Sequence, residues 1–89
     1  MKALKINVSG KVQGVFFRAS AKGAAEKLSI KGFAQNQPDG SVLIEAEGEE
    51  ENLKQFIDWC KQGPPRAEVS NLDVQESELK NFDRFEIKR

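Results

Sequence analysis

The spacing of apolar residues switches between two periods along this chain, and that switching limits the available folds more than any other feature. Leu4, Ile6 and Val8 alternate with Lys5, Asn7 and Ser9, the pattern of a half-buried strand. Phe17, Ala21, Ala24, Ala25 and Leu28 then recur at helical spacing. A helix from about Phe17 to Leu28 buries that face, with Gly23 weakening it by about 1 kcal/mol relative to alanine. Lys31–Asn36 and Ser41–Glu47 read as two strands joined by the turn Pro38-Asp39-Gly40, in which proline presets one dihedral and Asp-Gly tolerates positive φ. Leu53, Phe56, Ile57 and Cys60 occupy i, i+3, i+4 and i+7 of a second helix. Glu49, Glu50 and Glu51 suit its positive end as a solvated start, and Gly63-Pro64 stops it. Val69, Leu72 and Val74 suggest a fourth strand whose parity breaks, which predicts a bulge. Phe85 and Ile87 mark a short final strand.

The order is β-α-β-β-α-β. It predicts an α+β fold of the ferredoxin-like, split βαβ kind, an antiparallel sheet with two helices on one face. With 89 residues the chain has room for one domain, spanning 1–89, and not for two. This topology hosts many functions, so chemistry has to be read from particular residues.

Several function classes are disfavoured at once. Fourteen basic residues balance fourteen acidic ones, so nucleic acid and anionic membrane surfaces are poor partners, and any anion site must be built locally. No apolar run resembles a signal peptide or a membrane span. Cys60 is the only cysteine, which fits a reducing compartment and makes the cytoplasm the expected location. Histidine is absent, which removes the commonest general base and the commonest metal ligand. Neither a metal site nor a cofactor is expected.

The informative segment is Gly10-Lys-Val-Gln-Gly-Val-Phe-Phe-Arg18, between a strand and a helix. A helix N-terminus leaves backbone N–H groups unpaired and carries partial positive charge. A glycine-bounded turn there can curl those groups around one anion, with Gly10 and Gly14 permitting the dihedrals. Arg18 can add a planar fork matching two phosphate oxygens. Read alone, the same segment also fits a tight connection followed by a solvated arginine. It is neither a Walker loop nor a dinucleotide fingerprint, since both lack their required spacing here.

This segment resembles the first signature of the acylphosphatase family. Gly32-Phe-Ala-Gln-Asn36, followed by Gly40-Ser-Val42 and Gly48, resembles its second. The likeness extends over essentially the whole chain, including Gly63-Pro64-Pro65. It implies a ferredoxin-like fold and hydrolysis of acyl phosphates to carboxylate and inorganic phosphate, the latter both product and inhibitor. It carries the family's catalytic arginine onto Arg18 and its catalytic asparagine onto Asn36. The phosphate cradle falls on the turn Gly10–Val15, with the amides of Val12, Gln13, Gly14, Val15 and Phe16 as binders. Phe33 stands where the family often has tryptophan, and Gln37 and Ala19-Ser20 also depart from common members.

Such residues suffice for this reaction. An acyl phosphate loses a carboxylate whose conjugate acid has a pKa of about 4.3, so no general acid is needed. Phosphoryl transfer depends mainly on positioning and charge stabilisation. Asn36 cannot act as a base, but its amide can aim a water. Without the family pattern, Asn36 reads as a hairpin residue.

Two other readings deserve comparison. Cys60-Lys-Gln-Gly-Pro-Pro-Arg66 matches the C-x5-R pattern of cysteine phosphatases. Here, however, the cysteine ends a helix, where carbonyls repel phosphate, and two prolines delete amide donors. Cys60 is expected in the core, and Trp59 in the core or at its rim. The alternative from a different class is a non-catalytic, small-anion-binding regulatory module. Asp39 reads as a turn residue, and nothing in the pattern demands more than a monomer.

Overall fold

The computed structural model describes residues 1–89. Its elements follow the expected order: β1 (Lys2–Lys11), α1 (Phe17–Lys27), β2 (Lys31–Asn36), β3 (Val42–Gly48), α2 (Glu50–Gln62), β4 (Glu68–Ser77) and β5 (Phe85–Lys88). The five strands form one sheet in the order β4-β1-β3-β2-β5. β1, β3, β2 and β4 pair antiparallel. β5 adds in parallel beside β2, so the sheet is mixed at that edge.

The period-2 pattern decides which face receives the helices. Ile6, Val8, Ala34, Val42, Ile44 and Ala46 point to one side and are buried there beneath Ala21 and Ala25 of α1 and Leu53, Phe56 and Cys60 of α2. Neither helix is long and apolar enough to cross a membrane.

The opposite face is partly covered by the connection from β4 to β5. Glu47, only 3% exposed, accepts hydrogen bonds from the backbone amides of Lys80, Asn81 and Phe82. Phe82 packs edge-on against Phe33 at 5.9 Å, and Lys80 pairs with Glu45. The connection is thereby strapped to the sheet before β5 begins.

The expected break in β4 is a bulge at Ser70: Ser9 stands opposite Asn71, yet Gly10 stands opposite Val69. This adds to the expected role of Gly10. Gly10 and Lys11 belong to β1, and a Cβ on Gly10 would come within 2.2 Å of the Glu68 carbonyl oxygen. Glycine there meets both demands, its φ of 123° as the sequence reading expected and the close approach of β4, while the connecting loop shrinks to residues 12–16.

Candidate active site

The loop hangs on two apolar pegs. Val12 and Val15 are buried, while Gly14 and Phe16 between and after them are exposed. Gly14 has φ of 75° and Phe16 has φ of 64° and ψ of 26°, so the backbone twice enters the left-handed region. Turns of this kind gather successive N–H groups into a concave surface. None of the amides from Val12 to Ala19 donates a hydrogen bond within the protein; the first to do so is Ser20, to the Phe16 carbonyl at 3.0 Å.

The helix entry leaves this potential uncompensated. Phe16 occupies the N-cap position, where its side chain offers no capping oxygen, and the first turn of α1 contains no acid. α2 behaves in the opposite way, carrying Glu50 and Glu51 in its first turn. The start of α1 is therefore an electropositive end with free donors and an added guanidinium.

Arg18 is held from the far side of the sequence. Its Nη1 donates to the Lys88 carbonyl at 2.8 Å, at the end of β5. The other N–H groups of its fork make no bond within the protein and remain available. The preceding residue, Phe17, is buried and anchors the helix start. Its ring lies 5.4 Å from Trp59, which stacks at 6.1 Å on Phe56, which meets Phe85 at 6.1 Å. Gly63 makes room for this anchor, since a Cβ there would lie 2.7 Å from the Phe17 ring.

Asn36 is the last residue of β2 and pairs with Val42. It shares its parity with Ala34, which is buried beneath the helices, so it belongs to the helix-covered face. Its neighbour Gln35 is registered with Lys88, whose carbonyl holds Arg18. Arg18, the loop and Asn36 thus occupy one end and one face of the sheet. The Asn36 side-chain amide makes no hydrogen bond within the protein, while its backbone carbonyl accepts one from Gln37 Nε2 at 3.5 Å. Asn36 does not line the cleft of about 380 Å³ that opens between the loop, the start of α1 and β5.

Three features escaped the sequence reading. The Gln13 side chain ties the loop to the β2–β3 hairpin, bonding the Gln37 and Ser41 carbonyls. The Lys88 carbonyl orients Arg18, and Ile87 and Arg89 wall the cleft. No local pattern announces a side chain that bonds 24 residues away. The hairpin itself is as expected, with Asp39 accepting from both the amide and the hydroxyl of Ser41 at 2.9 and 2.6 Å. These two bonds hold the Asp39 carboxyl below its usual pKa, the side-chain bond contributing most.

Cys60 is fully buried in the core cluster that holds Phe56 and Leu53, as expected. Burial pushes its thiol from the ordinary 9.0 up to about 12. The cysteine-phosphatase reading of C-x5-R is thereby set aside, because that chemistry needs an accessible thiolate.

A model of the acylphosphatase family matches residues 4–87. The chain is 50% identical over 86 residues to an acylphosphatase of Acaryochloris marina, covering 97% of this chain and 92% of that one. It is 47% identical over 88 residues to an acylphosphatase of Thermotoga petrophila, covering 99% and 98%. Among solved structures, the acylphosphatase of Bacillus subtilis superposes with a TM-score of 0.97 at 39% identity over the whole of both chains. In sequence and in overall topology, the chain belongs to the acylphosphatase family of enzymes.

Proposed function

We propose that this chain cleaves the carboxyl–phosphate bond of acyl phosphates without a metal. In this reading the amides of Val12, Gln13, Gly14, Val15 and Phe16 and the guanidinium of Arg18 hold the phosphoryl group, and Asn36 aims the attacking water. The observation that carries it is the unbroken run of unpaired amides from Val12 to Ala19 beside Arg18.

The water oxygen attacks phosphorus while the bond from phosphorus to the carboxylate oxygen breaks. The bonding pair leaves with the carboxylate, and the proton of the water passes to a phosphoryl oxygen. Amides and guanidinium stabilise charge on the equatorial oxygens, and they cost no reorganisation at the moment of reaction because the fold already holds them. Asn36 supplies a carbonyl acceptor and two N–H donors for one water. The protein is read as a single domain acting as a cytoplasmic monomer, with inorganic phosphate as a competing ligand and neither nucleic acid nor membrane as a partner.

The test is steady-state hydrolysis of benzoyl phosphate, with and without chelator, and with inorganic phosphate as competitor. Turnover that ignores the chelator and is inhibited by phosphate is expected. Absence of turnover, or dependence on added divalent metal, would overturn the reading.

A further inference from the structure

The reverse face of the sheet, away from the helices, carries a contact that the chemistry above leaves unused. Phe85 of β5 is buried in the core beneath the helices, so strand alternation turns Lys88 to the opposite face. Phe33 of β2 lies on that face too, since its neighbour Ala34 belongs to the helix side. There the Lys88 ammonium stands 4.1 Å over the centre of the Phe33 ring. It enters no ion pair. The ring is only 8% exposed, and Phe82 braces it edge-on at 5.9 Å.

We propose that the Phe33–Lys88 pair positions Arg18 from the far side of the sheet, acting through the Lys88 backbone. The inference rests on the reading that Arg18 meets the phosphoryl group. β5 is four residues long, lies at the sheet edge and pairs only with β2. Phe85 anchors its start, whereas Glu86, Ile87 and Lys88 are exposed. An end with so few buried contacts opens readily unless side chains hold it. Yet the carbonyl that takes Arg18 Nη1 at 2.8 Å belongs to that end. What holds it comes from β2: the ring of Phe33 under Lys88 and, one residue on, a bond from Gln35 Nε2 to the Arg89 carbonyl at 3.4 Å. Phe33 and Gln35 are two residues apart and share the reverse face, so together they clip the end of β5 to the sheet. Neither Phe33 nor Lys88 lines the cleft, so the pair reaches the reaction only through Arg18.

The experiment measures kcat and KM for benzoyl phosphate, and urea midpoints, in the unmodified protein, Phe33→Leu, Lys88→Met, their double variant and Lys88→Arg. Leucine removes the ring but keeps the Lys88 charge. Methionine removes the charge but keeps the apolar stem and the backbone carbonyl. Each single substitution is expected to lower kcat by roughly 2- to 5-fold, the equilibrium factor carried by one partly exposed cation–π contact. KM should stay unchanged, because Arg18 meets charge that develops in the transition state. The double variant should fall no further than either single one, since both substitutions remove one contact. Lys88→Arg keeps a cation over the ring and should retain kcat. Full kcat in folded Phe33→Leu and Lys88→Met, whatever their urea midpoints, overturns the positioning role and leaves the hydrolase reading standing. So do losses that multiply in the double variant, and a loss in Lys88→Met that Phe33→Leu does not share. Failure of the unmodified protein to hydrolyse benzoyl phosphate overturns the hydrolase reading itself.

Discussion

Gln13 reaches from the loop to Gln37 in the hairpin, its Nε2 donating to the Gln37 carbonyl at 2.8 Å. The same nitrogen donates to the Ser41 carbonyl at 2.9 Å, so two acceptors fix which end of the side-chain amide faces the hairpin. The loop and the strand end carrying Asn36 are thereby locked to one another.

Replacing Gln13 tests that lock. Both carbonyls keep a backbone donor, from Gly40 and Gln37, so Gln13→Ala leaves neither orphaned. It should cost about 1–2 kcal/mol of stability, the worth of two partly buried hydrogen bonds. Gln13→Glu should be worse, because a carboxylate would face two carbonyls and stand beside the phosphoryl group. Urea midpoints rank the stabilities. Inhibition constants for inorganic phosphate should rise more for Gln13→Glu than for Gln13→Ala.

Arg18→Ala should lower turnover of benzoyl phosphate by roughly 10³-fold or more, as for other arginines that stabilise transition-state charge. Asn36→Ala should cost on the order of 10²–10³-fold, the effect of losing one positioned hydrogen-bonding group. Both side chains are only half-buried, so both variants should remain folded by circular dichroism. Unchanged turnover in Arg18→Ala would remove it from the mechanism. A rise in KM alone in Asn36→Ala would exclude its aiming of water.

The Cys60 thiol should be silent in the folded protein. Its pKa is raised by burial from 9.0 to about 12, so between those values the unfolded chain releases a proton that the folded chain keeps. Stability from this group is intact below pH 9 and declines as pH climbs toward 12. At pH 8, reaction with a thiol reagent should be slow, should leave activity intact, and should accelerate sharply on adding urea. Fast alkylation that abolishes turnover would contradict this placement.

Glu47→Gln removes the charge that gathers three backbone amides and points an N–H₂ group toward donors. We expect a loss of about 1–3 kcal/mol, seen as a lower urea midpoint. Turnover without denaturant should stay near that of the unmodified protein, because the strap lies on the sheet face away from Arg18 and Asn36. A large drop in kcat with no change in midpoint would show that the strap serves the site directly.

Much of this was legible in the sequence because it is encoded locally. The alternation around Ile6 and the helical spacing around Phe56 each report which side of an element is dry, and the layers follow. The parity break between Val69 and Leu72 gave the bulge at Ser70 for the same reason. The positive φ of Gly10 was expected, but the second reason for glycine there was not, because the close approach of Glu68 comes from a strand distant in the chain. Parallel addition of β5, the Gln13 bonds and the grip of Lys88 on Arg18 depend on residues far apart in the chain. No periodicity carries that information.

The bond between Arg18 and Lys88 spans 70 residues, so it closes nearly the largest loop the chain can make. Forming it requires the entropy of that closure to be met by earlier pairings, which places it late in folding. During refolding, Trp59 fluorescence should therefore recover before turnover does. Catalytic competence then reports the final docking step, and any change that frays the C-terminal edge is felt first as lost rate.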